Sequence, residues 1–187
     1  MHLFGADPIM TTHELVTAVT TSPYPVICNG DVIDIANCKY KELPQAMQTL
    51  TLLVDYLYKN NGVFILGNHC CDAIPAPNFV ERGNVLFTHG DLWMWELDRA
   101  LEFRMQKKGG GWFKRNLISR PLSALRHLVA VRPNDRLLAK IDEYTVANPH
   151  IKHVILGHSH PKAPVHFIVN GVSCTILPRG INDVELP

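Results

Sequence analysis

Apolar positions along the chain fall into short runs separated by amphipathic stretches. Runs rich in β-branched and aromatic residues predict strands over Tyr24 to Cys28, Gly62 to Leu66, Asn84 to Thr88, His153 to Leu156, Val165 to Val169 and Val172 to Leu177. The last two flank Asn170-Gly171, a dipeptide that favours a two-residue hairpin turn. Helical spacing predicts helices over Thr12 to Thr20 and over Pro44 to Asn60, where Leu50, Val54, Leu57 and Tyr58 share a face. Further helices are predicted over Trp93 to Lys108, Pro121 to Val129 and Asp135 to Ala147, with Gly109-Gly110-Gly111 as a break. No internal repeat is present. The alternation predicts an α/β fold that ends in an antiparallel hairpin.

Composition narrows this to one domain over residues 1–187, because 187 residues with 47% hydrophobic and 19% charged suit a single core. Five cysteines (Cys28, Cys38, Cys70, Cys71 and Cys174) form no Cys-x-x-Cys pair and read as free thiols of a reducing compartment. No apolar run reaches the roughly 18 residues of a membrane span, and no secretory signal opens the chain. The expected location is the cytoplasm, with peripheral contact at a membrane as an extension of it. The net charge of +1 hides an uneven distribution. Between Arg99 and Arg136 ten cations face only Glu102 and Asp135, so residues 93–136 are expected to form a basic helical insertion.

Chemistry enters at the ends of the strands. The first runs into Asn29-Gly30-Asp31-Val32-Ile33-Asp34, the second into Gly67-Asn68-His69, the third into His89-Gly90-Asp91 and the fourth into Gly157-His158-Ser159-His160. Ligands of open α/β sheets bind outside the carboxyl ends of the strands, so these residues are expected to converge in one crevice. Taken singly, each is ordinary turn chemistry. Four together, each at a strand end and each carrying imidazole, carboxylate or amide oxygen, point to divalent metal.

These motifs resemble the signature of the calcineurin-like metallophosphoesterases: Asp-x-His, Gly-Asp-x-x-Asp, Gly-Asn-His, a lone His and Gly-His-x-His. The resemblance covers nearly the whole chain and implies a four-layer α/β/β/α sandwich with two divalent ions between the loop ends. It implies that Asp31 bridges the ions, that His160 binds the first, and that Asn68, His89 and His158 bind the second. Manganese is the first choice, with iron, zinc or magnesium as alternatives. His69 is then a catalytic group rather than a ligand, supporting in-line attack by a metal-bound hydroxide on a phosphodiester, pyrophosphate or phosphomonoester. Asp34, Asp72 and Asp91 are implied supports of the ligands and of His69.

His2 matches the second half of the family's first motif, whose Asp falls before Met1. The first strand is therefore expected to be missing. Three explanations stay open: a true start further upstream, Asp7 as a substitute carboxylate, or a first ion held weakly or not at all. The position of the basic insertion and the His89-Gly90-Asp91-Leu92-Trp93 run are closest in layout to the UDP-2,3-diacylglucosamine pyrophosphatases. That likeness implies an anionic substrate, nucleotide-containing or lipid-linked, with Arg115, Arg120 and Arg126 as candidates to grip it. A non-catalytic binding module with an incomplete first metal site is the alternative of a different class. The basic insertion also raises a nuclease, which the remaining features favour less.

Overall fold

The computed structural model describes residues 11–34, 38, 40–69, 75–95, 133–180, 182 and 184. Helix α1 (Thr12–Thr21) opens on a capping box, in which Thr11 Oγ1 accepts from the Glu14 N–H and Glu14 Oε2 accepts from the Thr11 N–H. Strand β1 (Ile27–Asn29) follows, then a 3₁₀ turn (Tyr40–Glu42), α2 (Leu43–Lys59) and β2 (Val63–Ile65). Strands β3 (Phe79–Arg82) and β4 (Val85–Thr88) lead into the four-residue helix α3 (Asp91–Met94). Helix α4 (Asp135–Ala147), β5 (His153–Leu156), β6 (Val165–Val169) and β7 (Val172–Ile176) complete the described elements.

The strands form two sheets. Strands β1 and β2 pair in parallel, joined by the crossover helix α2, and the second sheet has the order β3-β4-β5-β7-β6. Within it β4, β5 and β7 run parallel, while β3 and β6 are antiparallel edges.

Alternation of side chains along each strand sorts the core into three layers. Cys28 and Phe64 point outward to Leu15, Val19, Leu50, Leu53 and Leu57 on α1 and α2. Val63 and Ile65 point inward to Val85, Phe87 and Ile155 of the other sheet. Leu86, Val154, Leu156, Cys174 and Ile176 point away again, to Leu137 and Ile141 of α4. Helix, sheet, sheet, helix is the four-layer order expected from the sequence.

Several elements differ from their expected limits. Strand β1 begins at Ile27 rather than Tyr24, since Pro23 and Pro25 lack the N–H that a ladder needs. The buried stripe of α2 is Ala46, Leu50, Leu53 and Leu57; Tyr58 is exposed and Val54 only partly covered. Of the helix expected over Trp93 to Lys108 only the start is described: a turn of helix over Asp91–Met94 followed by an extended Trp95, the rest lying outside the described residues. The expected insertion limit at Arg136 lies inside the first turn of α4. Strand β3 was not expected: its half-exposed Phe-Val-Glu-Arg lacks an apolar run. Asn170 and Gly171 both have positive φ (47° and 83°), the hairpin turn that their sequence favours. Cys28, Cys38 and Cys174 are free thiols, and no described helix is long and apolar enough to cross a membrane.

Candidate metal centre

Parallel pairing brings the carboxyl ends of β1 and β2 together, and likewise those of β4 and β5. The residues that follow these strands meet between the sheets. Two glycines show how closely. A Cβ on Gly67 would stand 2.3 Å from Asp31 Oδ1 and 2.5 Å from the Asp31 nitrogen. One on Gly30, whose φ is +78°, would stand 2.2 Å from His89 Nδ1. The glycines of these motifs are therefore the room into which the donors pack. Asp31 and His160 themselves have φ of 51° and 47°, a left-handed backbone that costs a side-chain-bearing residue about 1–3 kcal/mol.

Asp31 is fully buried. Its Oδ1 accepts from the His69 backbone N–H at 2.7 Å, while Oδ2 lies 3.0 Å from His89 Nε2 without an aligned hydrogen bond. His89 Nδ1 faces the Asn29 carbonyl at 3.0 Å. A proton on Nδ1 serves that bond and leaves the Nε2 lone pair directed into the centre. Around Nε2 stand Asn68 Oδ1 at 3.1 Å and His158 Nδ1 at 3.2 Å, and these two are 3.0 Å from each other.

That spacing tests whether a metal fits. Donors about 2.1 Å from a shared ion stand roughly 3.0 Å apart in an octahedron and 3.4 Å apart in a tetrahedron. The four distances from His89 Nε2 to its three neighbours and from Asn68 Oδ1 to His158 Nδ1, 3.0 to 3.2 Å, are edge lengths of a coordination shell. Lone pairs this close repel unless a proton or a cation lies among them. Asp31, His89 and His158 together form a group able to hold an ion, and the donor set suits a divalent metal.

The electrostatics follow the same logic. Burial pushes the Asp31 carboxyl up, but His89 and His69 outweigh it and hold the group well below the usual carboxylate range. Burial pushes His89 down; Asp31 first, and then Asp91, overcome this and raise it. His160 is driven down to about 2, by burial first and then by the Arg179 guanidinium, so it is a neutral donor at any ordinary pH.

His69 stands apart from this group of donors. Its Nδ1 is 2.7 Å from Asp34 Oδ1, with Asp34 nearly buried and the imidazole about one-fifth exposed. Asp34 makes an orienting contact of the kind that the sequence offered to Asp72. Asp91, buried in the first turn of α3, adds negative potential at His89.

Asp31, Asp34, Asn68, His69, His89, Asp91 and His158 are thus gathered at one end of the two sheets, and His160 feels the charges of Asp31 and His89. His2, Asp72, Arg115, Arg120, Arg126, Asp7, Cys70 and Cys71 lie outside the described residues. Three contacts escaped the sequence. The Asn29 carbonyl orients His89, and both polar atoms of the Asn29 side chain are buried with no hydrogen bond. Trp95 places its ring edge-on to His158, with centroids 4.6 Å apart. Ser159 donates to Met94 Sδ at 3.1 Å, fixing the Gly-His-Ser-His turn against α3. Only the Trp-rich segment after His89 hinted at any of these.

A family model, calcineurin-like phosphoesterase, matches residues 4–162. No curated protein matches the chain.

Proposed function

Because the chain belongs to the calcineurin-like phosphoesterase family, we propose that it is a two-metal phosphoesterase whose centre lies at the carboxyl ends of β1, β2, β4 and β5. The family assignment carries metal-dependent hydrolysis of phosphoesters. The residue roles and the substrate are our reading, and the shell-like spacing of Asp31, Asn68, His89 and His158 is the observation that supports them most.

In this reading Asp31 would serve both ions, Asn68, His89 and His158 would hold one of them, and His160 with His2 would hold the other. Bound divalent metal, manganese first, supplies Lewis-acid charge for the phosphoryl oxygens and lowers the pKa of water. The protein's own residues do the rest. The Asn29 carbonyl fixes the His89 tautomer, so that Nε2 stays a donor to metal. Asp34 accepts from His69 Nδ1–H, and in the imidazolium form the ring would also carry an Nε2–H to give to the leaving oxygen, passing back to neutral imidazole as it does so. Partial exposure of His69 keeps it within reach of substrate.

The substrate is an anionic phosphate compound, a phosphodiester or pyrophosphate in first place, nucleotide-containing or lipid-linked. The layout around His89 and the cationic segment carrying Arg115, Arg120 and Arg126 support the sugar-nucleotide pyrophosphatase branch. The free thiols of Cys28, Cys38 and Cys174 support a cytoplasmic setting.

Hydrolysis of bis(p-nitrophenyl) phosphate with added manganese tests the proposal. The native chain is expected to turn it over, and His69→Ala to lose about 100-fold or more in kcat with its bound metal retained. Equal rates for the two would remove His69 from the chemistry, and no turnover by either would favour the binding-module alternative.

A further inference from the structure

We propose that Arg179, in the turn after β7, is a substrate-binding residue of this centre that holds phosphoryl oxygens on the His160 side of the crevice. The inference rests on the phosphoesterase reading above and extends it to a residue outside every motif.

Topology carries the argument. Among the described residues five strands run parallel to a neighbour, and four of them deliver a site residue just past their carboxyl ends. Strand β1 delivers Asp31, β2 delivers Asn68 and His69, β4 delivers His89, and β5 delivers His158 and His160. The fifth, β7, delivers Arg179. Its register with β5 is fixed, since Leu156 pairs with Ile176 and the Leu177 N–H donates to the Leu156 carbonyl at 2.8 Å. The two chains therefore leave the sheet side by side, one into Gly157–His160 and the other into Pro178–Gly180.

The β7 exit is a built turn rather than a loose end. Asn182 Nδ2 donates to the Pro178 carbonyl at 3.2 Å and to the Gly180 carbonyl at 3.3 Å. Gly180 has φ of +107°, a backbone conformation that favours glycine. Arg179 projects from this turn into solvent and forms no ion pair with any described residue. The paired register of β5 and β7 sets this turn next to the Gly157–His160 turn.

A guanidinium with no ion-pair partner among the described residues, at the sheet end where β5 delivers His158 and His160, is a chemical match for a phosphoryl dianion. Its planar fork meets two phosphate oxygens at once, which an ammonium cannot do. The cations of residues 99–136 are not needed for this contact.

The test compares native protein, Arg179→Gln and Arg179→Lys, each loaded with manganese. Affinity for inorganic phosphate is read by calorimetry, together with kcat and KM on bis(p-nitrophenyl) phosphate, metal per chain and melting temperature. Arg179→Gln is expected to weaken phosphate binding at least about tenfold and to raise KM more than it lowers kcat. Arg179→Lys should recover part of this, with metal content and melting temperature unchanged in both. Unaltered phosphate affinity and KM in Arg179→Gln would overturn the assignment, as would a loss of metal or of thermal stability, which would make the role structural. Native protein that binds phosphate through Arg179 but hydrolyses nothing would uphold the arginine and overturn the phosphoesterase. Native protein that binds no phosphate would overturn both.

Discussion

Gly67 and Asp31 show at the residue scale how backbone and donor share one space. With only 2.3 Å between a would-be Cβ and Asp31 Oδ1, and 2.5 Å to the Asp31 nitrogen, neither a rotamer change nor a small backbone shift makes room. Gly67→Ala must push Asp31 out of its left-handed position. The expected cost is about 3 kcal/mol in stability and the loss of bound metal, read by thermal melting and elemental analysis. A variant that kept its full metal content would show that Asp31 is held by something other than this fit. The same pairing explains what could be read from sequence. Asp31, Asn68 and His158 each follow the glycine that admits a neighbouring donor, so the motif records the geometry. Asn29 and Arg179 act through a main-chain carbonyl and through the register of β7, and nothing in their residue types marks that. His69 was legible as a histidine, but its partner was not: the sequence offered Asp72 for that contact, and the 2.7 Å contact is made by Asp34.

At the scale of elements, buried strands were legible and edges were not. Strands β4 and β5 have nearly every side chain covered, so their apolar runs declare them; β3 is an edge with two exposed ends and reads as loop. What fixes β3 is its tie to α4. Tyr144 donates to Glu81 Oε1 at 2.6 Å, the Phe79 ring meets Tyr144 edge-on at 5.5 Å, and His150 Nε2 lies 3.1 Å from Glu81 Oε2. Burial first, then the hydrogen bond to Glu81 and its charge, push the Tyr144 hydroxyl up to about 12. A phenol raised above its ordinary value near 10 stabilises the fold while it is protonated. That contribution is complete below about pH 10 and is lost as pH climbs through about 12. Glu81 has the opposite sign: its hydrogen bonds to Tyr144 and His150 lower it, so its share is lost on acidification. Tyr144→Phe should therefore melt earlier than the native chain near neutral pH, by about 1 kcal/mol, with the gap shrinking as pH rises from about 10 toward 12. Cys28 and Cys174, both raised to about 12 by burial, also titrate in that range, but equally in both proteins. A gap that stayed constant across the range would mean that the hydroxyl is not what joins β3 to α4.

For the whole molecule, the decisive fact is that the donors come from both sheets. Asp31 and Asn68 follow β1 and β2, whereas His89 and His158 follow β4 and β5. Between the sheets lies a thin apolar layer of Val63, Ile65, Val85, Phe87 and Ile155, and at its open end the contacts are polar. There, close lone pairs and the buried, unaligned Asp31 Oδ2 oppose packing. In the proposed centre an ion shared by the four donors would fasten sheet to sheet at this polar end. Ligation that favours only the native state adds about 2.7 kcal/mol at 100 times the dissociation constant. For a chain of 187 residues each kcal/mol moves the midpoint by about 2–4 °C, so saturating manganese should raise melting by roughly 5–10 °C and a chelator should reverse it. Asp31→Asn removes the one anionic donor that both ions would share, so its melting should ignore manganese and chelator alike. Elemental analysis of the same samples counts the ions: two per native chain if His160 and its partners fill the first shell, one if they do not. Native protein whose melting responds to neither treatment would mean that the ion pair of His89 with Asp31, and not a metal, is what closes the end of the sandwich.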